Sequence, residues 1–98
     1  MAGEDKLDRQ LSGALRHWAD HLAALGYDEV RKRYLGQPVA QEFFEHAGHR
    51  YEATTDAVAN GRGRGDIRLL IEVSDSEQQP PREIAAEDFI LGEEGTVT

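Results

Sequence analysis

His17 and His21, one helical turn apart, are the first residues whose type and spacing suggest chemistry. On a helix, this spacing brings two imidazole nitrogens towards a single ion, as in a metal pair. His46 and His49 form a second close pair, which accounts for all 4 histidines of the chain. The zinc-protease version of the motif needs a glutamate directly after the first histidine, and Trp18 stands there instead. His21 borders an apolar stripe and His17 lies one step further out, positions typical of half-buried histidines without a ligand. The pattern favours a rim role over a metal site and implies no cofactor.

Gly61-Arg62-Gly63-Arg64-Gly65 has the glycine content of a phosphate loop. Such loops lie between a strand and a helix N-terminus, whose amides hold the phosphate. Here the segment joins two expected strands, and Asn60 to Gly65 reads as a turn with Arg62 and Arg64 projecting at its tip. Their planar guanidinium groups suit contact with a carboxylate or phosphate on a partner. Arg31-Lys32-Arg33 is a second basic run, and it carries the alternative reading of a weak nucleic-acid binder. Nucleic-acid modules show a broader basic stripe with exposed aromatics, so a solvated helix face that balances the helix dipole explains this run better.

Acidic pairs are frequent: Glu87-Asp88, Glu93-Glu94, and Asp75 with Glu77. None has the apolar flank that raises a carboxyl pKa for acid–base work. No serine sits in a nucleophile-elbow context. With 0 cysteines, thiolate chemistry, disulfides and cysteine-based zinc sites are excluded. The chain reads as a non-enzyme.

These residues must be positioned by a single small domain of 98 residues. Leu7, Leu11, Ala14, Leu15, Trp18, Leu22 and Leu25 recur at spacings of three and four, the stripe of an amphipathic helix. Asp5 suits its start and Gly26 its end. A short helix is expected over Asp28 to Leu35. Pro38 to Ala47 is read as a further helix, with Pro38 at its first position and Gly48 as its cap, against the alternative of a strand entering a hairpin at Ala47-Gly48. After Gly48 the period becomes two. Tyr51, Ala53, Thr55 and Ala57 share one side of a strand, and its small residues let a helix approach closely. Ile67, Leu69, Ile71 and Val73 share one side of the next strand, from Asp66 to Ser74. Two short strands are expected at Glu83–Ala85 and Phe89–Leu91, and the acidic tail 92–98 frays or adds a strand at Thr96–Val97. The resulting fold class is α+β, with N-terminal helices (one long, one or two short) on one face of a three- to four-stranded antiparallel meander. Residues 1–47 are mainly helical and 48–98 mainly β.

Charge separates the two parts. Residues 1–50 carry 8 acids and 7 Lys/Arg, whereas residues 51–98 carry 11 acids and 4 Arg, within a net charge of −8. Such a field repels nucleic-acid phosphates and anionic membranes. No apolar run reaches the roughly 20 residues that span a bilayer, and the N-terminus lacks a signal-peptide pattern. A cytoplasmic location is therefore expected. Phe43 and Phe44 are adjacent, and a regular helix cannot bury both against one neighbour. One of them is expected at an edge, open to a partner or to a second copy in a homodimer. The sequence thus points to a small acidic protein-interaction module, of accessory-subunit, inhibitor or toxin-neutralising type, that binds a basic surface. Phe43, Phe44, Arg62, Arg64, Glu87, Asp88, Glu93 and Glu94 are its candidate contacts. The alternative is a small-ligand or metal-binding protein with a cleft between the first helix and the sheet, lined by His17, His21 and Tyr51.

Overall fold

The computed structural model describes residues 2–59, 65–77 and 84–97, with side chains from residue 9 onward. Two helices, α1 (Ala2–Leu25) and α2 (Tyr27–Tyr34), precede four strands: β1 (Ala40–His46), β2 (His49–Ala59), β3 (Ile67–Asp75) and β4 (Ile84–Leu91). The strands form one antiparallel meander in the order β1-β2-β3-β4. Both helices pack on the same face of this sheet, giving the expected two-layer α+β architecture.

The apolar stripe of α1 is the core side of the helix. Leu11, Ala14, Leu15, Trp18, Ala19 and Leu22 are buried against the inward residues of β2, β3 and β4. In the sheet every second residue points inward, as the period of two requires. Tyr51, Ala53, Thr55 and Ala57 of β2 are buried, as are Ile67, Leu69, Ile71 and Val73 of β3. The small residues of β2 leave room for the indole of Trp18, whose Nε1 donates to the Thr55 hydroxyl at 2.9 Å. That bond satisfies two polar groups which burial would otherwise strand.

The helix boundaries differ slightly from the expected ones. α1 begins at Ala2, so Asp5 lies within it rather than capping it. Gly26 joins the two helices at φ 91° and ψ 158°, a region that is essentially glycine-only. It serves as N-cap of α2 with no side-chain cap bond, and Asp28 sits in the first turn instead. A Cβ at Gly13 of α1 would stand 3.7 Å from the His46 ring. This flank of the helix faces β1.

The helix expected over Pro38 to Ala47 is instead strand β1. Two forces decide it. The outer backbone groups of β2 need partners, and seven residues of β1 supply them, in register from Ala40 opposite Thr55 to His46 opposite His49. A strand also resolves the Phe43-Phe44 conflict by sending the two rings to opposite faces. Gly48, taken as a helix cap, is the second residue of a hairpin turn, with φ of 52° at Ala47 and 81° at Gly48. The two short strands expected at the C-terminal end are one strand, β4, paired with β3 along its full length. The tail folds back through Gly92–Gly95, and Val97 bridges to Leu91. The turn expected at Asn60 to Gly65 lies outside the described residues except for Gly65.

Candidate functional site

The structure places His46 opposite His49 across the β1–β2 hairpin, whereas His17 meets a partner that sequence spacing does not suggest. His17 of α1 stacks on His46 of β1 with ring centroids 4.6 Å apart. His21 lies against Trp18 at 4.9 Å. Phe44 sits between Trp18 at 5.0 Å and Tyr51 at 5.6 Å, and His49 flanks Tyr51 at 6.3 Å. Phe44 is half-buried between α1 and the β1–β2 hairpin, and His17 and His21 are exposed at its rim. Tyr51 is buried there, and burial first, then the charges of Asp75 and Glu77, raises its phenol pKa. The planes of the His17 and His46 rings are inclined by 29°. Among the described residues no group of three or more His, Asp or Glu side chains is placed to hold a metal.

The basic run of α2 is largely engaged within its own helix. Arg33 donates to Glu29 at 2.7 Å, which lowers the Glu29 pKa and raises that of Arg33. Arg31 donates to the Tyr27 hydroxyl at 3.0 Å, and Tyr27 in turn donates to the Gly65 carbonyl. Lys32 is exposed. Arg62 and Arg64 lie outside the described residues. The candidate acids separate into two groups. Glu93 and Glu94 sit in the tail turn beside Leu25 to Glu29. Glu87 and Asp88 lie mid-strand on β4 and point to opposite faces, Glu87 with Ile71 and Asp88 with Leu70.

The larger feature is the sheet face away from the helices. Register places Gln41, Phe43 and Glu45 of β1 there, with Arg50, Glu52, Thr54, Asp56 and Val58 of β2. Arg68, Leu70 and Glu72 of β3 follow, with Ile84, Ala86, Asp88 and Ile90 of β4. Among the described residues nothing packs over this face. Phe43 is 54% exposed and Ile84 58%, with Val39 and Val58 also exposed. A shallow hollow of about 420 Å³ crosses its middle, bordered by Thr54, Asp56, Leu70, Glu72 and Asp88.

The charges of this face are unequal. Among the described residues, Glu45, Glu52, Asp56, Glu72 and Asp88 oppose Arg50 and Arg68. Both arginines are engaged within the face. Arg68 donates to Asp88 through Nε at 3.1 Å and through a terminal nitrogen, and Arg50 lies 4.6 Å over the Phe43 ring. Glu52, Asp56 and Glu72 have no ion-pair partner among the described residues. The sequence singled out Phe43 by its adjacency to Phe44 and Asp88 by its pairing with Glu87. Glu52, Asp56 and Glu72 were missed as a group, because only the register brings the acids of β2 and β3 together. The one available signal was Leu70, an apolar residue on the polar side of its strand.

No family model, curated protein or solved structure matches the chain in comparisons with known proteins. Among the described residues no helix is long and apolar enough to cross a membrane.

Proposed function

We propose that this chain is a non-catalytic binding module that acts in the cytoplasm and docks a cationic protein surface on the open face of its sheet. One observation carries the reading. An uncovered face combines exposed Phe43, Val58 and Ile84 and half-buried Leu70 with the carboxylates of Glu52, Asp56 and Glu72, which have no cationic partner among the described residues. A face of this size is not needed for the core, which lies wholly on the helix side. Aromatic and aliphatic anchors ringed by charge mainly of one sign are the ingredients of a steered protein interface. Phe43 and Asp88 belong to this face, whereas Glu93 and Glu94 lie apart from it and contribute only to the long-range field.

The test is a paired capture from the source cell, with wild type as one bait and Glu52→Lys/Glu72→Lys as the other. A partner with a basic surface should be retained by wild type, released by moderate salt, and absent from the variant bait. Attraction between surface charges is screened over roughly 10 Å at about 0.1 M salt. A partner held equally by both baits and indifferent to salt would overturn the reading.

A further inference from the structure

We propose that the uncovered half of the β4 edge accepts an extended, lysine- or arginine-bearing segment of the partner as a fifth strand. This deepens the reading above and rests on its premise that the partner is cationic. β4 is the last strand of the sheet, and among the described residues its outer edge is covered at one end, where Val97 bridges to Leu91. Phe89 and Leu91 at that end are buried, whereas Ile84, Ala86, Glu87 and Asp88 are exposed. Among the described residues nothing pairs with the outer side of Ile84 to Asp88. Those residues offer roughly 17 Å of edge at the usual strand rise. An unprotected edge is a template for strand addition, in which main-chain bonds supply affinity and alternate side chains supply specificity.

The surroundings favour an occupant of one kind. Beside the edge, α1 forms a groove of about 430 Å³ lined by Leu11, Ser12, Leu15 and residues 84–87. Alternate side chains of an added strand would enter this groove. Glu87 stands at the groove with no ion-pair partner among the described residues. Asp88 points to the opposite face. A cation on the added strand therefore meets an acid on either side of the sheet. A second copy of the chain suits the edge poorly, because it would bring the same Glu87 and Asp88 and the same net charge of −8. The opposite edge is β1. Its helix side is filled by Phe44, by His46 stacked on His17, and by Glu42, which accepts from Tyr34 at 2.7 Å.

The experiment titrates the isotopically labelled full chain, at low salt, with a short synthetic peptide alternating lysine and valine. The control peptide has proline in place of valine, which keeps the charge and removes ladder donors. The lysine-valine peptide should shift the amides of Ile84 to Asp88 and of Leu11, Ser12 and Leu15. Glu87→Lys should weaken it roughly fivefold, since the substitution turns an attraction into a repulsion. The control should leave the edge amides unmoved. Shifts confined to Glu52, Asp56 and Glu72, or equal binding of both peptides, would overturn strand addition while leaving open-face docking intact. Failure of both peptides to bind would remove the cationic-partner reading as well.

Discussion

Replacing Ala47 with asparagine should stabilise this protein, and the sign of that effect tests how the hairpin presenting Phe43 is built. His46 faces His49 in register, so the β1–β2 loop consists of Ala47 and Gly48 alone. Their φ values of 52° and 81° define a turn with two left-handed residues, for which Asn-Gly is the preferred sequence. Gly48 adopts this conformation freely. Ala47 holds its Cβ against the following carbonyl, at about 1–2 kcal/mol. Asparagine relieves part of this through local hydrogen bonding, so Ala47→Asn should gain about 0.5–1 kcal/mol. For a domain of this size that raises Tm by roughly 3–6 °C. A helix over the same segment predicts the reverse, because replacing alanine by asparagine inside a helix loses about 0.5 kcal/mol. Urea unfolding followed by the single buried tryptophan, Trp18, reads the difference directly. Ala47→Val should destabilise, since a branched side chain is a poor fit to positive φ. A lowered midpoint for Ala47→Asn, or an unchanged one for Ala47→Val, would refute the turn geometry.

Three further outcomes follow from the packing. Trp18→Phe strands the buried Thr55 hydroxyl and should lose about 1–3 kcal/mol beyond the lost ring contacts; adding Thr55→Val should recover part of this in urea unfolding followed by circular dichroism. Burial, reinforced by Glu42, holds the Tyr34 phenol pKa well above its ordinary value, so its contribution is fully present below about pH 10 and is lost as pH rises beyond it. Urea midpoints measured from neutral to alkaline pH should therefore fall more steeply for wild type than for Tyr34→Phe. Gly65→Ala should destabilise by about 1–3 kcal/mol, because Gly65 has φ 96° and a Cβ there would lie 2.8 Å from the Tyr27 hydroxyl; thermal melting checks this.

The architecture was legible wherever periodicity was strong. The α1 stripe and the alternation in β2 and β3 each define a buried side without knowledge of the partner element. Pro38 to Ala47 was not legible, because its local signals, a proline near the start and a glycine past the end, suit a helix and a hairpin strand equally. Its fate was decided by the unpaired edge of β2, a tertiary demand that no short window contains. β4 was read as two fragments because Ala86, Glu87 and Asp88 lack the residues typical of strands, and pairing with β3 overrides that preference. The site followed the same rule. Phe43 was identifiable from its neighbour Phe44, but Glu52, Asp56 and Glu72 come from two strands and meet only through register. The histidines show the converse. Their spacing in sequence suggested His17 with His21, whereas the fold stacks His17 on His46.

Methyl resonances separate the two sides of this sheet, because neighbouring residues of one strand report opposite faces. Leu70, Ile84 and Ile90 point to the open face, whereas Ile67, Ile71 and Val73 point into the core. Adding the captured basic partner to methyl-labelled protein should shift or broaden the first group and leave the second near its free positions, with the effect reversed by salt. Changes confined to the core methyls or to the α1 flank, persisting at high salt, would contradict docking on the open acidic face.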